Sequence, residues 1–118
     1  SGQWPPSGGE MKVKMVKNND TANTIYANET IPPSTEILDF DDPSTMPEGW
    51  EYKDLGNGKF EIKGMTMGSA TFSTISGTYK MDGDTLTMTY KGSGVSIEET
   101  TGDYFEIDVS VTASFDRA

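Results

Sequence analysis

The segment at 69–91, SATFSTISGTYKMDGDTLTMTYK, constrains the fold most because it predicts two β-strands joined by a tight turn. In its second half every second residue is apolar and the alternates are threonines. This period-2 pattern is typical of a strand with one buried face. A two-residue turn at Asp82-Gly83 sets Tyr79 opposite Leu86, so that the apolar faces of both strands coincide. The segment therefore predicts an antiparallel hairpin.

A second hairpin is predicted just upstream, around the glycine-rich stretch at 56–58. A three-residue loop with a left-handed glycine makes the alternation on its two sides agree and pairs Tyr52 with Ile62. Further strands are predicted near 11–15, 24–28, 36–40, 94–98 and 103–115. Helix is nearly absent from this pattern.

The last predicted strand alternates over about twelve residues and would span close to 40 Å, which suggests that it bends around a barrel or closes a sandwich. Its polar face carries Glu106 and Asp108, and the first strand carries Lys12 and Lys14 on the corresponding face. Complementary charges predict that the first and last strands are neighbours and close the sheet. The predicted fold is an all-β antiparallel meander forming a small barrel or barrel-like sandwich.

The domain organisation follows from composition along the chain. Residues 1–9, SGQWPPSGG, are rich in glycine, proline and serine and predict a flexible N-terminal linker. Residues 10–118 then form a single β domain, since a chain of this length suffices for one core.

The charge and the missing residue types restrict the function. Nine basic against nineteen acidic residues give a net charge of −10, which repels phosphate backbones and argues against nucleic acid. The chain has no histidine and no cysteine, so the commonest general base and the thiolate nucleophile are both missing. No apolar run approaches the roughly 20 residues of a membrane span. We therefore expect a protein that is not an enzyme, has no cofactor and has no transmembrane segment.

The stretch GTYKMDGDTLTMTYK at Gly77 to Lys91 resembles the G-x-Y, turn, T-L-T-M/L/I pattern of lipocalin-like domains in secreted lipoproteins of gut Bacteroidota. The resemblance implies a small antiparallel barrel with a ligand cavity, held at the cell surface or in the periplasm by a lipid anchor upstream of Ser1. One feature departs from the family, because lipocalins place G-x-W near the first strand. Here Gly49 and Trp50 are adjacent and lie roughly fifty residues into the chain.

Aromatic and methionine side chains are the candidate ligand contacts, because exposed rings stack sugars and methionines line adaptable apolar pockets. The alternative is that these side chains fill the core. The candidates, which would act together with loops at 64–69 and 92–94, are Trp50, Tyr52, Met65, Met67, Tyr79 and Tyr90.

Asp39, Asp41 and Asp42 are closely spaced, and oxygen ligands of this kind suit calcium. Their spacing does not match the EF-hand loop, and acidic loops are mostly solvated surface. Calcium binding and a solvated loop both remain open.

Two function classes are consistent with these observations. The first is a non-catalytic extracytoplasmic binding module for a small apolar or glycan ligand, which requires a pocket lined by rings. The second is a structural or adhesive surface domain that binds a protein partner through a sheet edge or an apolar patch.

Overall fold

A computed structural model of the chain describes residues 3–34, 38–39, 42–46, 48–67 and 70–117. These residues form eleven strands and two short 3₁₀ segments, at Thr21–Asn23 and Pro43–Thr45. The strands are β1 (Gln3–Trp4), β2 (Pro6–Lys17), β3 (Thr24–Ile31), β4 (Leu38–Asp39), β5 (Glu51–Gly56), β6 (Lys59–Lys63), β7 (Thr66–Met67), β8 (Ala70–Phe72), β9 (Ile75–Asp82), β10 (Thr85–Ile97) and β11 (Tyr104–Asp116).

Nine of the strands form one antiparallel sheet, whose main order is β3-β2-β11-β10-β9-β6-β5. Strand β8 pairs with β10 beyond the end of β9, and β7 pairs with β8. Strands β1 and β4 form a separate two-stranded sheet. The predicted all-β antiparallel meander is confirmed. The sheet is open among the described residues, with β3 and β5 at its two ends.

The first long strand does lie beside the last, as the lysines and carboxylates predicted. Strand β2 pairs with β11 along most of its length, with Lys14 opposite Asp108 and Lys12 opposite Ser110. The predicted closure at this pair is wrong, because β3 continues the sheet on the far side of β2. The charge pattern identified the neighbours but carried no information about the next strand outward.

The β9–β10 hairpin forms with the predicted faces but with a different register. Asp82 pairs with Thr85, so the two turn residues are Gly83 and Asp84, and Gly83 has a φ of +61°. Glycine at the first central position is typical of a type II′ turn. The shift moves every pair by two residues, and Tyr79 therefore lies opposite Met88 instead of Leu86. A shift of two keeps each side chain on its predicted face.

The β5–β6 hairpin confirms the predicted pair of Tyr52 and Ile62. Its turn is shorter than the predicted three residues, because Gly56 pairs with Lys59. Asn57 and Gly58 both have positive φ, at 56° and 71°, as a type I′ turn requires. A register irregularity between Asp54 and Gly56 compensates for the shorter turn, so that Tyr52 and Ile62 still lie opposite each other on the same face.

The predicted loop at 92–94 is instead part of β10, which runs unbroken from Thr85 to Ile97. The strand predicted at 69–81 is interrupted at Ser73 and Thr74. Its two halves, β8 and β9, pair with successive parts of β10.

One face of the sheet carries the core, which includes Phe60 and Ile75 with no exposed surface. The core also includes Trp4, which is 1% exposed. Residues 3–4 and 6–9, which the sequence suggested as linker, lie in strands β1 and β2. The other buried hydrophobic side chains are Ile62, Met65, Ala70, Phe72, Leu86, Met88, Ile107, Val109, Val111, Ala113 and Phe115.

Candidate functional site

The face of the sheet opposite the core is polar, and strand register aligns its side chains in rows. Directly opposite residues of an antiparallel pair share a face, with Cβ atoms about 4.5–5.5 Å apart. Two adjacent rows cross β3, β2, β11 and β10 in that order. They are Tyr26, Lys14, Asp108, Ser93 and, one step along the strands, Asn28, Lys12, Ser110, Lys91.

These two rows form the floor of a groove of about 690 Å³, called here the outer groove. Its volume lies within the range of about 300–1,000 Å³ that is typical of small-molecule sites. The groove is lined by the eight residues of the two rows. Its lining also includes Val13, Ser73, Thr74, Gly92 and Val109.

The interruption between β8 and β9 contributes one wall of the outer groove. Ser73 lies there, and its hydroxyl donates a hydrogen bond of 3.5 Å to the carbonyl of Ser93. The Ser93 hydroxyl in turn donates to the Asp108 carboxylate at 2.5 Å. The carboxylate is thereby held in the middle of the floor, where it accepts hydrogen bonds.

Tyr26 supplies the exposed aromatic surface of the groove. The residue is 73% exposed, although it lies within a strand and its neighbour across the ladder is Lys14. An exposed ring of this kind offers an apolar face on which the C–H face of a sugar stacks, and its hydroxyl remains free to bond with water or ligand. An aromatic residue with this degree of exposure on a polar face is the most unusual member of the site.

The groove is locally basic in a strongly acidic protein. Lys12, Lys14 and Lys91 all line it, are exposed, and face a single groove carboxylate, that of Asp108. None of the three takes part in an ion pair among the described residues. The ion pairs found there are Lys17 with Asp103, Lys63 with Glu61, and Arg117 with Asp84.

A second groove of about 320 Å³ continues from the first on the same face. The two share Ser73, Ser93 and Asp108. The second adds Tyr104 and Val95, and Val95 is 42% exposed. A ligand longer than one small ring therefore has a continuous path from Tyr26 toward Tyr104.

The aromatic residues proposed from the sequence lie on the core side instead. Phe60 is at their centre, with ring centroids 5.5 Å from Tyr52, 6.4 Å from Tyr79 and 6.0 Å from Tyr90. Burial raises the pKa of Tyr90 above its ordinary value. This packing corresponds to the core-filling alternative that the sequence left open.

Two of the remaining three candidates, Trp50 and Met65, pack on the core side as well. Trp50 is half-buried and packs against the core, and Met65 is 2% exposed. The side chain of Met67 lies outside the described part of the structure.

The acidic candidates show local roles where they are described. The Asp42 carboxylate accepts hydrogen bonds from the backbone N–H and hydroxyl of Ser44, which lower its pKa. The backbone of Asp39 bonds the Thr45 hydroxyl through both its N–H and its carbonyl. Asp41 lies outside the described residues. Within the described ranges, acidic, histidine and cysteine side chains form no group of three that could hold a metal ion.

Comparisons with protein-family models, with curated proteins and with solved structures found no match to this chain. Among the described residues, no helix has the length and apolar character needed to cross a bilayer.

The outer groove was not anticipated from the sequence, although part of its pattern was visible there. The charges of Lys12, Lys14 and Asp108 predict that their strands are neighbours, but they do not by themselves indicate a binding surface. Tyr26 belongs to a short polar segment, and it contributes to the groove only because its strand, β3, pairs with β2. The signal was an aromatic residue alternating out of phase with apolar Ile25 and Ala27.

Proposed function

We propose that this domain is a non-catalytic binding module that holds a glycan in the outer groove. The observation that carries the proposal is the exposed Tyr26 ring beside a floor of amine, amide, hydroxyl and carboxylate groups. Sugars present both C–H faces and a high density of hydroxyl groups, so a site for them combines an aromatic platform with hydrogen-bond donors and acceptors. The apolar-ligand form of the hypothesis receives less support, because the predicted apolar pocket residues pack against one another.

The architecture of the groove supports recognition without large rearrangement. Its floor is made of four hydrogen-bonded strands, and β10 and β11 each continue far beyond it on both sides. Side chains on such strands are held at fixed spacing, which reduces the entropy lost on binding.

We propose an extracytoplasmic setting on a lipid anchor, supported by the resemblance of the hairpin at Gly77 to Lys91 to lipocalin-like domains of secreted lipoproteins. Fractionation of cells that express the full-length precursor, with surface proteolysis, tests this setting. Recovery of the domain in the cytosolic fraction would contradict it.

The binding role is tested by screening the purified domain on a glycan array and repeating the screen with Tyr26→Ala and Tyr26→Phe. We expect the first variant to lose at least tenfold in affinity and the second to retain most of it, because stacking needs the ring and not its hydroxyl. Thr87→Ala on the same face, outside the outer groove, serves as the matched control. Unchanged binding by Tyr26→Ala would place the site elsewhere.

The second candidate is a surface domain that binds a protein partner at the β3 edge. Within the described residues β3 pairs with β2 alone, and Ile25 on its core side is 58% exposed. An unpaired edge with an apolar neighbour favours strand addition by another chain. This role predicts that adhesion to cells or matrix survives Tyr26→Ala and is lost in Ile25→Lys, the reverse of the glycan result.

A further inference from the structure

We infer that the ligand of the outer groove is an acidic oligosaccharide, whose carboxylates or sulfates lie over the three lysines of the groove floor. This inference rests on the proposed glycan-binding role and specifies its ligand class. It is carried by the placement of three cations in one groove of a chain whose net charge is −10.

The lysines are arranged around the floor and not along one strand. Lys12 and Lys14 lie on β2, and Lys91 lies on β10, with β11 between them. Lys12 and Lys91 flank Ser110 in one row, and Lys14 lies between Tyr26 and Asp108 in the other. An anionic group above Ser110 would therefore meet ammonium groups from both sides.

Their charges are available to a ligand. All three side chains are exposed, and the ion pairs of the described residues use other cations. A concave surface with an excess of one sign of charge, here three lysines against Asp108, concentrates the opposite charge from solution. The three lysines therefore attract an anion to this groove although the chain as a whole carries a net charge of −10.

The carboxylates of the floor indicate how the ligand is oriented. Asp108 lies in the centre of the floor, and Glu106 lies in the second groove beside Tyr104. Acidic groups of the ligand are repelled from both positions, where sugar hydroxyls can donate instead. The acidic unit therefore belongs above Ser110, between Lys12 and Lys91, and a neutral unit belongs toward Tyr104.

The length of the combined grooves calls for more than one sugar. Asp108 is four residues from Tyr104 along β11, about 13 Å at the usual rise of a strand. Tyr26 is two strands away from Asp108, or about 10 Å across the sheet. The backbone positions of the two tyrosines are thus about 16 Å apart, a span suited to a short oligosaccharide.

The test measures binding of two matched probes by titration calorimetry: trigalacturonic acid and its neutral methyl ester. The wild-type domain is expected to bind the acid at least tenfold more tightly and to lose that preference as salt is raised, because exposed ion pairs are screened. Chondroitin sulfate and neutral cello-oligosaccharides, tested in parallel, separate a requirement for acidic groups from a requirement for one particular sugar.

The variant Lys12→Gln/Lys14→Gln/Lys91→Gln should reduce acid binding about tenfold, because three exposed contacts between ammonium groups and the anionic ligand are lost together. The control Lys53→Gln/Lys63→Gln/Lys80→Gln changes the net charge equally at positions outside the lining of the outer groove. Equal losses in the two variants would attribute the preference to overall charge and overturn the inference.

The outcomes distinguish the inference from the role on which it rests. Equal, Tyr26-dependent binding of the acid and its ester, or of neutral cello-oligosaccharides, would retain glycan binding and overturn the acidic class. No binding of any of these sugars, with no array signal, would overturn both. Binding of chondroitin sulfate alone, dependent on the three groove lysines, supports the inference with sulfate as the preferred anion.

Discussion

The guanidinium of Arg117 lies over the indole ring of Trp4, with 4.9 Å between its central carbon and the ring centroid. The two ends of the described chain meet here, because the Asp116 N–H donates to the Pro5 carbonyl and Arg117 also bonds Asp84. Trp4 fills the end of the core, so its strand belongs to the folded domain.

Replacing Trp4 by alanine should reduce the free energy of unfolding by about 3–5 kcal/mol, the usual cost of deleting a large buried ring. Arg117→Ala should cost about 0.5–1 kcal/mol, because the cation is half exposed and contributes mainly the cation–π contact. Urea denaturation followed by circular dichroism measures both. Equal effects would contradict the assignment of Trp4 to the core.

Gly77 has no room for a side chain. A methyl group there would lie 2.6 Å from Cζ of Phe60 and 2.5 Å from the carbonyl oxygen of Thr89. Gly77→Ala should therefore destabilise the domain by about 1–3 kcal/mol, as overpacking does. Ser76→Ala, at the exposed neighbouring position, should change stability by less than about 0.5 kcal/mol in the same assay.

The hydroxyl of Tyr79 donates to both carboxylate oxygens of Asp54, at 3.2 and 3.0 Å, and this bond raises the pKa of Tyr79. Because the folded-state pKa lies above the unfolded value near 10, the stabilisation is present below pH 10. It is lost as the pH rises through the folded-state pKa. Ultraviolet titration of tyrosinate should show raised transitions for Tyr79 and Tyr90 in the wild type. Tyr79→Phe should remove one of them, and Asp54→Asn should shift that same transition downward. A Tyr79 transition unaffected by Asp54→Asn would exclude the hydrogen bond as its cause.

Asp103 stabilises the junction between β2 and β11 in its ionised form. Hydrogen bonds from the Asn18 amide and the Thr101 hydroxyl lower its pKa, with a smaller contribution from Lys17. Its stabilisation is present above the unfolded-state pKa near 4 and is lost as the pH falls through the lower folded-state value.

Asp103→Asn should therefore lower Tm at pH 7, and the difference from wild type should shrink below pH 4. Glu99→Gln, in the same connection, is the control for loss of one carboxylate. A difference that stays constant from pH 7 to pH 2.5 would exclude ionisation of Asp103 as its source.

Tyr26→Ala should leave the unfolding free energy within about 0.5 kcal/mol of wild type, because the ring is mostly exposed and faces away from the core. The same variant should lose glycan binding. Chemical denaturation and array binding, measured on one preparation, test both expectations. A large loss of stability would indicate a packing role for the ring.

The sequence predicted the strands and their faces better than it predicted their partners. Alternation around Leu86 specifies a buried face, but a register shift of two residues preserves that face, and Gly83 can occupy either central position of a two-residue turn. The alternation alone therefore could not place Tyr79 opposite Met88. Likewise, the charges of Lys14 and Asp108 predict that β2 and β11 are neighbours, but they do not predict that β3 pairs with the other edge of β2.

Long-range packing accounts for the remaining differences. The composition of residues 1–9 is that of a linker, and Trp4 is buried because it packs in the core formed by distant strands, which composition does not indicate. The outer groove depends on strand order in the same way, since Tyr26 and Lys91 share a site only because β2 and β11 lie between their strands.

The core and the outer groove occupy opposite faces of the same strands. Val109 packs inward while Asp108 and Ser110 point outward, one residue away on either side. Mutations on the two faces are therefore nearly independent in their effects. A scaffold of this kind can change its specificity by successive substitutions at the outward positions while the inward positions keep it folded, so a lineage can diversify its ligands without passing through unstable intermediates.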